Sequence, residues 1–207
     1  NSKVVGEYWK LSEAYENLVY ISPEKTGVGS GIIIDGKLYE GSSFGAGEVG
    51  YMLFNVEDLL SNNYKANYLE NIVSRDSITE YIHNIMLKDG NSSTEILMDS
   101  DKILDYELLR KEAESNNQIA LNVYDYLARY FAVTIHNIAT ILNPDTIILG
   151  GNFITLGQIM YEKIKKYLNL ISIIPIDIRL SKIDYNAQLY GSIYFGMRYI
   201  DEKILSI

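Results

Sequence analysis

The residues best placed to do chemistry lie between Thr26 and Gly50. Glu48 follows Gly45-Ala46-Gly47, and a carboxylate on such a loop can accept paired hydrogen bonds from sugar hydroxyls. Its plain alternative is a solvated loop acid. Upstream, Thr26-Gly27-Val28-Gly29-Ser30-Gly31 is a glycine-rich loop whose backbone N–H groups can face a phosphate, or simply a tight hairpin. It lies between two expected strands rather than before a helix, which excludes a P-loop and a dinucleotide fingerprint. Gly150-Gly151 ends a buried strand, where α/β proteins bind ligands, although taken alone it reads first as a tight strand-to-loop turn. Glu70, at a helix start, reads first as an exposed helix acid. His136, on a mostly apolar helix, reads as a satisfied histidine rather than a ligand. Tyr51 is the one tyrosine with a case for stacking on a sugar ring; the others read as packing.

The elements that must hold these groups follow from periodicity. Residues 3–15 carry one apolar helical face. Leu18–Ile21 reads as a buried strand, and Gly31–Asp35 as a second. Asp35-Gly36 is a type I′ turn signal leading to a third strand at Lys37–Glu40. Residues 51–66 are Asn-rich and read as loop. Tyr68–Ser74, Ser77–Leu87 and Asp101–Glu114 read as helices, with Asp76 or Ser77 as an N-cap and Gly90–Ser93 as a linker. The longest helix spans 117–142 and stops at Asn143-Pro144-Asp145. Thr146–Leu149 then reads as a fully buried strand. A helix at 157–169, a strand at about 176–180 and a helix from near Ala187 complete an α/β chain whose crossovers demand parallel strands.

Composition narrows the partners. A formal charge of -9 repels nucleic-acid backbones, so DNA contacts would belong to another segment. The absence of cysteine excludes disulfides and thiolate zinc sites. No apolar run reaches the ~20 residues of a membrane helix. Asn1 in place of Met suggests a piece of a longer protein.

In order and spacing these pieces resemble the ROK family (repressors, open reading frames and kinases) over nearly the whole chain. Asn1–Glu7 resembles the stretch after that family's catalytic aspartate. Leu18–Gly31 resembles its strand and phosphate loop, and Gly31–Gly50 its hairpin and sugar-binding Ala-Gly-Glu-x-Gly motif. Tyr68-Leu69-Glu70 resembles the Cys-Leu-Glu closing its zinc loop, and Leu142–Gly151 its Asn-Pro adenosine motif. The resemblance implies an actin-like, ribonuclease-H-like lobe with a mixed sheet and crossover helices, filling 1–207 as a C-terminal lobe. It implies that Glu48, Tyr51, Glu70 and Asn1 face a carbohydrate. Thr26, Gly27, Gly29, Gly150 and Gly151 would face a nucleotide, in a site that has become vestigial.

The departures from the family pattern are as informative. Tyr51 replaces the histidine that contacts sugar and zinc, and Tyr68 replaces a zinc cysteine, so no zinc is expected. Pro23-Glu24-Lys25 lengthens the phosphate loop by one residue and puts a long side chain where backbone should meet phosphate. The family's general base falls before Asn1, and losing such a base costs roughly 10²–10⁴-fold in rate. The expected function is the sugar-binding module of a cytoplasmic repressor of the xylose or N-acetylglucosamine type, with no catalytic residue and no cofactor. A homodimer would pack through the 117–142 helix and the last helix, and DNA would be bound through an N-terminal domain. The rival is a sugar kinase using ATP and Mg²⁺.

Overall fold

The computed structural model describes residues 2–11, 15–60, 64–89, 97–98 and 103–205. Asn1 and the expected linker at 90–93 lie outside the described residues. In order the elements are α1 (Ser2–Lys10), β1 (Leu18–Glu24), β2 (Gly27–Ile34), β3 (Lys37–Leu38), α2 (Leu69–Ile72), α3 (Arg75–Asp89), α4 (Tyr106–Glu114), α5 (Gln118–Leu142), β4 (Thr146–Leu149), α6 (Asn152–Ile171), β5 (Ile178–Leu180) and α7 (Asp184–Leu205). The sheet runs β3-β2-β1-β4-β5. The first three strands are antiparallel neighbours, while β1–β4 and β4–β5 are parallel. The mixed sheet with crossover helices is therefore as expected from the sequence.

Both faces of the sheet are covered, which explains why β1 and β4 are apolar along their length. Side chains alternate across a strand. Val19 and Ile21 of β1, with Ile147 and Leu149 of β4, join the large core built around α5 and α6. Leu18, Tyr20 and Ile148 point the other way, onto Val4 and Val5 of α1. The 25-residue α5 anchors the large core. Asn117 caps it by accepting from the Ile119 and Ala120 N–H groups, and Asn143 ends it in the left-handed conformation with φ 43°. Both boundaries agree with the sequence reading.

Several local expectations are corrected. The glycines from Gly27 to Gly31 are not a loop but the body of β2, and only Lys25-Thr26 forms the turn, with Glu24 paired to Gly27. The reason is packing: a Cβ on Gly31 would collide with the Val4 side chain, so this strand needs glycine to lie under α1. The cap of α3 is Ser74, whose Oγ accepts from the Ser77 N–H at 3.2 Å, rather than Asp76 or Ser77. Helix α4 starts at Tyr106, because Asp105 accepts from the Glu107 and Leu108 N–H groups. Residues 51–66 include two short 3-10 helices, Val56–Leu60 and Tyr64–Asn67. The helix expected from 157 begins at Asn152 and kinks at Gly157, where φ is 69°. Asp35 and Gly36 take φ 50° and 70°, as the turn signal predicted. No helix among the described residues is long and apolar enough to cross a membrane.

Candidate functional site

The glycine-rich stretch separates into a flank and a mouth. On the flank, Ser30 Oγ donates to the Gly47 carbonyl at 2.6 Å and ties the Gly45–Glu48 loop to β2. Gly47 takes φ 87°, and a Cβ there would sit 2.9 Å from that hydroxyl. Glu48 then opens the 3-10 turn Val49–Tyr51 without capping it, and its side chain is exposed. It borders a cavity of about 300 Å³ whose other walls include Ser30, Ile32 and Met52.

The chain is then clasped back toward the hairpin. Leu53 bridges to Tyr68, and the Leu69 N–H donates to the Met52 carbonyl at 3.0 Å. This clasp presents Glu70 to the glycines: Glu70 Oε2 would lie 2.7 Å from a Cβ on Gly27 and 3.0 Å from one on Gly50. Glu70, Thr26 and Gly27 share a cavity of about 160 Å³ with Arg75 and Tyr106. Arg75 lies over the Tyr106 ring at 5.0 Å, and its buried Nε has no hydrogen-bond partner. Burial pushes the Tyr106 phenol above its ordinary range, and Arg75 partly opposes that shift. Neither the Glu48 nor the Glu70 carboxylate has a hydrogen-bond partner among the described residues. Their acceptor oxygens are uncommitted.

Where the resemblance implied a zinc loop, three tyrosines meet. Tyr51 contacts Tyr68 at 5.3 Å and Tyr64 contacts Tyr68 at 6.1 Å, both edge to face. Among the described residues no group of three His, Asp or Glu side chains is arranged to hold a metal ion.

The mouth lies where β1 and β4 end and α6 begins. A cavity of about 230 Å³, bordered by Lys3, Tyr20, Ser22, Glu24 and Gly29, adjoins it on the side of α1 and β2. The Glu24 carboxylate accepts from Lys3 Nζ and from Ser22 Oγ. Gly151 takes φ 58°, and a Cβ there would sit 2.6 Å from Ser22 Oγ and 2.8 Å from Glu24 Oε1. Gly150 lies beneath the Tyr20 ring, which leaves no room for a side chain. The Lys3–Ser22–Glu24 cluster was not singled out in the sequence. Its members are 21 residues apart at the extremes, and no local pattern joins them.

The structure thus brings Thr26, Gly27 and Glu70 together, and puts Gly29, Gly150 and Gly151 around the mouth. Glu48 sits in a neighbouring cavity, and Tyr51 joins the tyrosine trio. Asn1 lies outside the described residues. His136 Nδ1 is 3.2 Å from Ser172 Oγ, a satisfied histidine as expected.

The ROK family profile matches residues 1–196. A xylose repressor of Caldicellulosiruptor bescii is 28% identical over 196 residues, covering 92% of this chain and 47% of the relative. A glucokinase of Halalkalibacterium halodurans is 28% identical over 169 residues, covering 81% of this chain and 51% of that enzyme. The chain thus spans about half the length of these relatives. The crystal structure of a ROK family glucokinase from Streptomyces griseus, in complex with glucose and AMPPNP, superposes with a TM-score of 0.75 at 22% identity. The match covers 92% of this chain and 64% of the other. That likeness establishes the actin-like ATPase fold. With a family match over most of its length and the fold to go with it, this chain belongs to the ROK family.

Proposed function

We propose that this chain is the carbohydrate-sensing lobe of a ROK-family repressor and is catalytically silent. Glu48 and Glu70 accept hydrogen bonds from sugar hydroxyls, and Tyr51 and Asn1 complete that side of the site. Thr26, Gly27, Gly29, Gly150 and Gly151 form a nucleotide-like cradle that has lost its task. Carbohydrate binding shifts the balance between two arrangements of this lobe and the rest of a dimeric repressor. It does so only by binding one arrangement more tightly than the other. Operator DNA is bound by a separate, N-terminal domain.

One observation carries the reading. The mouth formed by the carboxyl ends of β1 and β4 and the start of α6 is the position where α/β proteins hold anions. Here it contains the carboxylate of Glu24, and the nearby ammonium of Lys3 is committed to that carboxylate. A phosphate entering the mouth would meet a negative charge and find its natural counter-ion engaged. Two isolated unit charges 4 Å apart repel by about 1–4 kcal/mol between water and a protein surface, and the paired, part-exposed Lys3 offsets part of that. That opposes a reaction whose catalysis rests on neutralising and positioning phosphates. The repressor relative, matched over 92% of this chain, supports the same reading.

The glucokinase relative favours a second reading, an ATP- and Mg²⁺-dependent sugar kinase. One experiment separates the two. The intact protein is titrated with glucose, xylose and N-acetylglucosamine by calorimetry, and ATP consumption is followed with each sugar. Sensing predicts saturable sugar binding, weakened by Glu48→Gln, with release of operator DNA and no sugar-dependent ATP turnover. Turnover coupled to phosphorylated sugar would replace the sensor with the kinase.

A further inference from the structure

A fourth cavity lies outside the site described above, on the other side of α2. Its volume is about 440 Å³, within the range of small-molecule pockets and larger than the cavities beside Glu48 and Glu70. One wall is aromatic. Tyr81 stacks on Tyr126 at 4.3 Å, Tyr126 meets Tyr130 edge to face at 5.1 Å, and Tyr130 meets Phe54 at 5.3 Å. The Tyr126 hydroxyl donates to the Ile72 carbonyl at 3.3 Å, which fixes the wall against α2. The three tyrosines stand on α3 and α5, and Phe54 comes from the segment after Tyr51.

Polar groups, neutral apart from one acid, make up most of the remaining lining: Asn55, Asn67, Asn84, Ser77 and Glu80, three of them on α3 with Tyr81. The side chains of Asn67, Asn84 and Glu80 make no hydrogen bond among the described residues. No lysine or arginine lines the cavity. An anionic ligand would find no counter-charge, and the chain's net charge of -9 repels it further. A purely apolar ligand would leave the amides and the carboxylate desolvated and unpaired, which is costly. The ligand that fits both walls has an apolar face to lie on the rings and a fringe of neutral hydroxyls for the amides and Glu80.

We propose that this cavity is a second carbohydrate site, for a neutral sugar of one or two rings, separate from the one formed by Glu48 and Glu70. It goes beyond the proposed sensor site and does not depend on it. Two sites on one lobe would let the protein respond to a sugar at a concentration range other than that of its main effector.

The test uses the intact protein, with glucose, xylose, N-acetylglucosamine and maltose as probes. Binding is read by saturation-transfer NMR and calorimetry in the wild type, in Glu48→Gln/Glu70→Gln, and in Asn84→Arg. Asn84 is exposed, so the arginine crowds the rim without entering the core. Binding of at least one probe is expected to survive Glu48→Gln/Glu70→Gln, and to weaken at least tenfold when Asn84→Arg or, independently, Glu80→Ala is added. The proposal is overturned if no probe binds the double variant, or if the residual binding ignores both rim substitutions. Failure of the Glu48 and Glu70 assignment has a different signature: the double variant would bind every probe as the wild type does, with wild-type stoichiometry.

Discussion

At the mouth formed by Lys3, Ser22, Glu24 and Gly151, every charge is committed to a neighbour. On the flank formed by Gly27, Gly45–Tyr51 and Glu70, two carboxylates have no hydrogen-bond partner among the described residues. Both regions are glycine-rich and both border β1 and β2, yet their chemistry is opposite. A committed carboxylate stiffens a structure and repels anions. An uncommitted carboxylate beside glycines keeps its acceptor oxygens available. The difference teaches that glycine content alone does not mark a working phosphate site. What the side chains around the glycines are already bonded to decides what can still bind.

The sharpest way to break this contrast is on the flank. Glu48→Gln combined with Glu70→Gln is expected to weaken carbohydrate binding at the flank itself by more than 100-fold, leaving any binding at the Tyr81–Tyr126 cavity untouched, since each hydrogen bond to a charged group contributes roughly 1.5–3 kcal/mol. Calorimetry on the intact protein reads this, and unchanged affinity would remove both acids from the site.

Next in size is Gly151→Val at the mouth. The valine would have to adopt φ 58° and overlap Ser22 and Glu24. A loss of about 2–4 kcal/mol in stability is expected, from backbone strain and overpacking together. A urea midpoint measures it.

A third substitution, Glu24→Gln, removes the charge and frees Lys3. It is expected to tighten ATP binding roughly tenfold, the equivalent of about 1.4 kcal/mol, and to leave sugar affinity unchanged. If ATP binds the wild type and Glu24→Gln equally, the mouth does not discriminate by charge.

Smaller still is Tyr68→Ala, which removes two edge-to-face contacts. Each is worth about 0.5–1.5 kcal/mol beyond burial. The expected result is a modest fall in melting temperature and weaker sugar binding, because the ring packing beside the backbone clasp that presents Glu70 is lost.

The smallest effect is a pH dependence. Burial raises the Tyr106 phenol, beside Glu70, from its ordinary value of 10.0, against an opposing contribution from Arg75. In the unfolded chain this tyrosine ionises at the ordinary value, while in the folded chain it holds its proton longer. Its contribution to stability is therefore complete below that value and is lost as pH rises above it. Arg75→Ala should steepen the alkaline loss, as followed by phenolate absorbance and circular dichroism.

Much of the fold was legible in the sequence because it depends on local rules. The Asp35-Gly36 turn, the Asn117 and Asn143 boundaries of α5 and the buried run Thr146–Leu149 each follow from a few adjacent residues. The readings that needed correction depended on distant partners. Gly27–Gly31 looks like a loop until α1 is laid across it, because Val4 excludes a side chain at Gly31 and Glu70 crowds one at Gly27. Helix α3 is the local exception: Ser74 caps it from two or three residues before the expected Asp76 or Ser77.

The sequence by itself determined the family resemblance, the mixed α/β architecture, and the residue types available to a ligand: glycines, two carboxylates and tyrosines. These are properties of spacing and composition, which survive without knowledge of the third dimension. Only the tertiary structure decided which groups are already paired. Lys3 and Glu24 are 21 residues apart, Leu53 and Tyr68 are 15 apart by number, and Tyr81 and Tyr126 come from different helices. Whether a charge or a ring is available to a ligand depends on its neighbours in space, and the chain's packing sets those neighbours.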